Sequence, residues 1–267
     1  MRFGFCDLTM LYIIATPIGN LEDITLRALR ILKEVDYVLC EDTRVTRKLL
    51  DHYNIKNKKL ISYHQHSSQR KVNQLIRLIR DYSLALVTDA GTPGISDPGN
   101  KLINQLINEP VNQSMNQGEK KVDRSTHSLV NIVPIPGPSA LTAALSVSGL
   151  PTDRFLFLGF VPHKKGRQKF LREVLESKRT VVFYESSHRI LKTLSALKEL
   201  GNCHPELGSG SHGIPKQVRN EKRLVVCREL TKKFETVYRG SAAEVLEQIK
   251  KDFPNGNPKG EFVVVAG

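Results

Sequence analysis

The stretch Leu84-Ala-Leu-Val-Thr-Asp-Ala-Gly-Thr-Pro-Gly-Ile-Ser-Asp-Pro-Gly99 decides the fold. An apolar run, Leu84 to Val87, passes directly into a loop holding Gly91, Pro93, Gly94, Asp97, Pro98 and Gly99. A short apolar run bounded by glycine and proline reads as a buried strand ending in a sharp bend. In open parallel sheets, ligands sit outside the carboxyl ends of strands, where such a loop lies. Glycine lets backbone come close to a ligand, and proline stiffens the loop in advance. Taken alone, the stretch is equally an ordinary strand-to-helix turn; its companions tip the balance.

Working outward, strand and helix alternate. Residues 11–15 read as a strand leading into the loop 16–20, and a helix follows with Ile24, Ala28, Ile31, Leu32 and Val35 on one face and Asp23 as its cap. A second strand, 37–40, ends at Glu41-Asp-Thr-Arg44, and 60–62 is a third. Ser67 or Ser68 starts a helix with Val72, Leu75, Ile76 and Ile79 inward. After the strand at 84–88 a helix starts from Pro98, and 130–134 is a fifth strand. This alternation predicts a parallel α/β sheet. Beyond a small-residue helix in 136–150 the pattern changes. Strands at 155–160, 180–185, 224–228, 235–239 and 261–266 with two or three helices predict an α+β domain with a mixed sheet. The expected organisation is a short extension over 1–9, an N-terminal α/β domain over 10–135 and a C-terminal α+β domain over 136–267. The polar, aperiodic segments 109–128 and 202–222 read as inserted surface loops.

Composition narrows the class. A chain of 267 residues with 40% hydrophobic content has room for two modest domains with real cores. Lys and Arg exceed Asp and Glu by 40 to 27, a net charge of +13 that favours a polyanionic partner. Nucleic acid is preferred to membrane because no basic amphipathic anchor stands out. The four cysteines (Cys6, Cys40, Cys203, Cys227) are widely spaced, which predicts reduced thiols in a cytoplasmic protein and neither a zinc site nor a disulfide frame. No apolar run approaches the roughly 18 residues of a membrane span.

Gly208-Ser-Gly210-Ser-His-Gly213 matches a dinucleotide fingerprint literally, but it follows no strand and is assigned to loop. His64 and His66 have no acidic ligand at suitable spacing, so no metal is expected. Four loops, by contrast, fall at successive strand ends: Thr16–Asn20, Glu41–Arg44, Asp89–Gly99 and Pro136–Ser139. A parallel sheet brings such ends to one rim. None is notably basic, as a phosphate cradle would be, so the rim suits an adenosyl-type ligand of modest charge.

These loops, with Thr16-Pro-Ile-Gly-Asn-Leu-Glu-Asp-Ile-Thr25, Thr88 to Gly99, Pro136-Gly-Pro-Ser-Ala140 and Tyr184-Glu-Ser-Ser-His-Arg189, resemble the tetrapyrrole-methylase superfamily. The resemblance is strongest to the branch that methylates a cytidine 2′-hydroxyl of small-subunit ribosomal RNA. It runs from about residue 11 to Gly267, with the two insertions as departures. The resemblance implies S-adenosylmethionine in an interdomain cleft, a homodimer, and ribosomal RNA or the small ribosomal subunit as partner, with no DNA and no membrane. It implies cofactor contacts from Pro17, Gly19, Asp89, Gly91, Thr92, Pro93, Gly94, Ser96, Pro136, Gly137, Ser139, Leu158, Phe160, Tyr184 and Glu185.

A ribose hydroxyl needs help to lose its proton. The candidates for catalysis are Glu185, His188 and Asp89, and the first two, three apart after a strand, are expected to share one side. The alternative is a local Glu185–Arg189 ion pair with His188 as a cap. The run Phe160-Val-Pro-His-Lys-Lys-Gly-Arg-Gln-Lys169 places basic side chains beside a strand end. Lys164, Lys165, Arg167 and Arg189, with Arg44, Arg47 and Lys48, are the groups expected to hold RNA phosphates. Two other readings stay open: a corphin methylase of the same fold, and a non-catalytic RNA-binding assembly factor.

Overall fold

The computed structural model describes residues 9–108, 130–202 and 222–267. Most of the expected extension, the insertion 109–128 and residues 203–221 of the second, with Cys6, Cys203 and the Gly208–Gly213 string, lie outside the described residues. The chain divides after Ser139 into two compact units.

In the first unit, β1 (Thr9–Ile14), β2 (Tyr37–Cys40), β3 (Lys59–Ser62), β4 (Leu84–Leu86) and β5 (Val130–Ile135) form one parallel sheet in the order β3-β2-β4-β1-β5. The helices α1 (Leu26–Glu34), α2 (Thr43–His52), α3 (Gln69–Asp81) and α4 (Asn100–Asn108) cover both of its faces. Val38, Cys40, Ala85 and Val87 pack with Ala28, Ile31, Leu32 and Leu50 of α1 and α2. Leu39, Leu84 and Leu86 point the other way, onto Val72, Leu75, Ile76, Leu102 and Leu106 of α3 and α4. Burial on both faces is why these strands read as unbroken apolar runs, not as alternating ones. The connection leaving β1 passes over β4 towards β2, and the one leaving β4 passes over β1 towards β5. These neighbours therefore hand the chain off in opposite directions, which is the switch point where open α/β sheets bind ligands.

Two helix starts differ from expectation. Thr25, not Asp23, caps α1: its Oγ1 accepts the Ala28 N–H at 3.1 Å. Asp23 instead closes a single 3-10 turn, Leu21–Asp23, that Asn20 caps. α4 begins at Asn100 because Gly99 sits at φ +153°, outside helical space.

The second unit contains α5 (Ala140–Ser148), β6 (Phe155–Phe160), α6 (Arg167–Glu176), β7 (Thr180–Ser186), α7 (Ile190–Asn202), β8 (Leu224–Arg228), β9 (Thr236–Gly240), α8 (Ala242–Asp252) and β10 (Glu261–Ala266). Its sheet runs β6-β7-β10-β8-β9, parallel between β6 and β7 and antiparallel elsewhere, the mixed sheet that the irregular strand spacing predicts. Phe170 and Val174 of α6, Ile190 and Leu194 of α7, and Val245 and Ile249 of α8 bury one face over Val181, Phe183, Val226 and Val264. α5 packs on β7 and β10. Cys40 and Cys227 are buried, free thiols. Among the described residues no helix is long and apolar enough to cross a membrane.

Candidate active site

At the carboxyl rim of the first unit the four loops are tied together by hydrogen bonds. Thr16 and Gly91 exchange backbone bonds of 2.9 and 3.0 Å, joining the loops after β1 and β4. Buried Thr16 Oγ1 adds a bond of 3.0 Å to the Thr88 carbonyl. Gly91 holds φ +85°, where an L side chain is strained, so glycine is required for this closure. Asp89 Oδ1 accepts the Asp42 N–H at 3.0 Å, fastening the loop after β2. Thr92 Oγ1 donates to the Pro138 carbonyl at 3.2 Å, fastening the loop after β5. Gly137 lies so close to β1 that a Cβ there would come within 3.1 Å of the Ala15 methyl.

Of the residues expected at this rim, Pro17, Gly91 and Pro93 are buried, Thr92, Gly94 and Ser139 half-buried, and Gly19, Asp89, Ser96, Pro136 and Gly137 exposed. The Gly94 carbonyl accepts from Asn100 Nδ2 at 3.0 Å, and Ser96 holds the unusual φ of +67°. A cleft of about 470 Å³ opens beside them, lined by Glu41, His64, His66, Ser67, Ser96 and Pro98. Among the described residues no group of His, Cys, Asp or Glu could hold a metal ion.

Asp97 is the rim residue that sequence reasoning left out of the site, although it stands in the loop quoted first. Burial, then the charges of Glu41 and Asp89, push its carboxyl up to about 6. Burial, then Asp89, raises Glu41 as well. A carboxyl with a raised folded pKa binds its proton more tightly in the folded state. Its cost to stability is therefore absent below about pH 4, grows as the pH rises, and is complete above the raised value. Asp97→Asn is expected to stabilise the protein by on the order of 1–3 kcal/mol at pH 7. It should change little at pH 4. Urea unfolding at both pH values measures this, and an equal effect at the two would deny the repulsion. A ligand carrying positive charge, such as a sulfonium with an α-ammonium group, relieves the same repulsion. A pyrophosphate would add to it.

At the carboxyl end of β7 the second unit is arranged differently from the expectation. Glu185 is buried, its side chain 0% exposed. Oε1 accepts the Ser186 N–H at 2.8 Å and pairs with Arg189 Nη2 at 2.8 Å. Oε2 accepts Thr193 Oγ1 at 2.6 Å and lies 3.7 Å from Arg167 Nη1. With its side chain shut from solvent and both oxygens committed, Glu185 is arranged as a positioning residue rather than as the exposed base or cofactor contact expected of it. His188 lies exposed in the turn between β7 and α7 and does not share a side with Glu185, because the strand continues to Ser186.

Arg167 and Arg189, expected to hold RNA phosphates, have internal partners. Arg167 Nη2 donates to Thr193 Oγ1 at 2.7 Å, while Arg189 Nε and Nη1 donate to Ser186 Oγ at 3.1 Å and the Val161 carbonyl at 2.9 Å. Lys164 and Lys165 remain exposed on the loop that this network anchors. In the first unit Arg44, Arg47 and Lys48 are exposed on α2, opposite buried Thr46 and Leu50. Arg44 also grips Asp42 at 2.6 Å, and its side chain and N–H hold that carboxyl down to about 2. β6 is irregular between Phe157 and Phe160, and both rings meet Tyr184 edge-on, with centroids 5.1 and 5.2 Å away and half-buried Leu158 between them in sequence.

Residues 10–246 match the family model of the tetrapyrrole (corrin/porphyrin) methylases. A protein of Hydrogenobaculum sp. named ribosomal RNA small subunit methyltransferase I is 42% identical over 257 residues, 96% of this chain and 94% of that one. Its namesake in Escherichia coli O157:H7 is 38% identical over 257 residues, 96% of this chain and 76% of that one. Among solved structures, a cobalt precorrin-4 methyltransferase superposes with a TM-score of 0.60 at 17% identity, covering 99% of this chain and 97% of its own. A diphthine synthase gives 0.60 at 15% identity over 97% and 90%. At such identity these two share the fold alone. With a family model over most of its length and full-length relatives near 40% identity, the chain belongs to the tetrapyrrole methylases, in the branch of the small-subunit ribosomal RNA methyltransferases I.

Proposed function

We propose that the protein methylates the 2′-hydroxyl of a cytidine in small-subunit ribosomal RNA, with S-adenosylmethionine as methyl donor. The observation that carries this reading is the hydrogen-bonded rim of the first unit, where four loops meet at a topological switch point without a lysine or arginine in Thr16–Asn20 or Asp89–Gly99. Its acidic cluster suits a cationic ligand. When bound, the donor supplies a methyl on a sulfonium sulfur for in-line displacement by a hydroxyl oxygen. The rim's task is alignment, which contributes roughly 7–11 kcal/mol when both reacting atoms are fixed. Thr16, Gly91 and Thr92 fix the loop geometry. Asp89 and His188, both exposed, are the groups proposed to accept the hydroxyl proton. Leu158, Phe160 and Tyr184 supply a surface for a flat ring. The homodimer and the cytoplasmic site of action implied by the resemblance belong to the same proposal, and sedimentation velocity reads the first.

Lys164 and Lys165, with Arg44, Arg47 and Lys48, are proposed to hold RNA phosphates. Lys164→Glu with Lys165→Glu is expected to weaken RNA binding at least tenfold at about 0.1 M salt and to flatten its salt dependence. Filter binding across a salt series checks this; unchanged binding at every salt concentration would place the RNA elsewhere. The deciding test of function is transfer of tritiated methyl from S-adenosylmethionine. Label should enter 16S ribosomal RNA from a strain lacking the modification and appear as a 2′-O-methylcytidine on nuclease digestion. Label in a corphin instead would assign the protein to the other methylases of this fold. Binding of donor and RNA without transfer would make it an assembly factor.

A further inference from the structure

The basic character of the second unit does not stop at the Lys164–Lys165 loop. α6 buries Phe170, Leu171 and Val174, and its exposed side carries Lys169 and Arg172. Lys178 and Arg179 follow in the turn into β7, both exposed. A groove of about 1120 Å³ runs along this side, lined by these four cations and by Glu173 and Glu176. Lys178 and Arg179 also line an adjoining hollow of about 380 Å³, with Arg154, Lys222 and Asp153. Among the described residues, no ion pair closes Lys169, Arg172, Lys178, Arg179 or Arg154. Lys222 donates to the Arg179 carbonyl at 3.3 Å, which adds its charge to the same end of the unit. Four cations against Glu173 and Glu176 leave the groove net positive, which favours an anionic partner. The cations follow α6 at Lys169 and Arg172 and continue into the turn at Lys178 and Arg179, an extended arrangement that suits the phosphates of a nucleic-acid strand.

The surface lies at the opposite end of β7 from His188 and Glu185. The seven residues of β7, at about 3.3 Å each, separate the two ends by roughly 20 Å. One nucleotide cannot touch both. We infer that this end of the second unit is a second phosphate-binding surface, which grips the backbone of the substrate RNA some distance from the nucleotide being methylated. The inference rests on the proposed activity towards RNA, and it makes the protein a reader of extended RNA structure: a short fragment reaches the first set of cations only.

The test is the full-length variant Arg172→Glu with Arg179→Glu, compared with the wild type on a long small-subunit RNA fragment and on a short hairpin around the target. The long fragment should bind at least tenfold more weakly, and the slope of log affinity against log salt should fall by about 1.4–1.8, the value for two lost phosphate contacts. Affinity for S-adenosylmethionine and turnover on the hairpin should not change. Arg172→Gln with Arg179→Gln should give a smaller loss in the same direction, which guards against a folding defect in the charge-reversed protein. Wild-type affinity and salt slope on the long fragment would overturn the inference. So would retained RNA binding alongside lost binding to phosphatidylserine vesicles. A reduced salt slope in a protein that methylates neither RNA would keep the surface and remove the proposed activity.

Discussion

Replacing Glu185 with alanine should lower the melting temperature by on the order of 10 °C. The change removes the one carboxylate between two guanidiniums, Arg167 at 14% and Arg189 at 17% exposure, and leaves the Thr193 hydroxyl without its acceptor. Removing one partner of a buried pair typically costs about 3–5 kcal/mol, because the remaining charge stays desolvated. Arg189 also holds the Val161 carbonyl, so the loop bearing Lys164 and Lys165 should loosen together with the turn bearing His188. RNA methylation is then lost through disorder in both segments. Glu185→Gln separates this from acid–base catalysis. Glutamine retains an acceptor for Thr193 but not the charge, so it should melt between the wild type and the alanine variant, with activity tracking stability. Should the glutamine variant melt like the wild type while turning over no RNA, Glu185 would be chemical after all.

The expectation that Glu185 and His188 share a side fails for a physical reason. From sequence, residues 185 and 188 share a side only if the chain is already helical there, and β7 runs on through Ser186 before α7 starts at Ile190. Glu185 is gripped by Arg189, a local partner four residues on at 2.8 Å, and by Arg167, 18 residues earlier at 3.7 Å, which in sequence is one more cation in a basic run. Non-local charge pairing has no periodicity and leaves no local trace. The first unit was more legible because its signals are local. Apolar runs of strand length, glycine and proline at their ends, and amphipathic helices between them dictate a parallel sheet. The sheet then brings its loops to one rim without further information. What could not be read was how the loops are fastened: Thr16 to Gly91, Asp89 to Asp42 and Thr92 to Pro138 are contacts between residues 46 or more apart. The raised pKa of Asp97 follows from the same packing, since Glu41 and Asp89 reach it only after folding.

Asp89→Ala should have the largest effect on chemistry for the smallest effect on stability. Its carboxylate is exposed and makes one bond of 3.0 Å, to the Asp42 N–H, worth about 0.5–1.5 kcal/mol. Against that loss, removing its charge relieves both Asp97 and Glu41. The two terms oppose each other, so the net change in unfolding free energy should stay within about 1 kcal/mol. Function has no such compensation. Asp89 joins the loop after β4 to the start of α2, and a displacement of about 1 Å in an aligned site costs on the order of 100-fold in rate. Methyl transfer should fall by at least that much, with weaker donor binding by calorimetry. Asp89→Asn keeps an oxygen for the Asp42 N–H but carries no charge. If alignment is the whole of the role, asparagine restores most of the rate. If Asp89 also faces the cationic donor or accepts the hydroxyl proton, asparagine is as slow as alanine although the loops remain fastened. An alanine variant within threefold of wild-type turnover would show that the rim closes without it, and the proposal for Asp89 would fall.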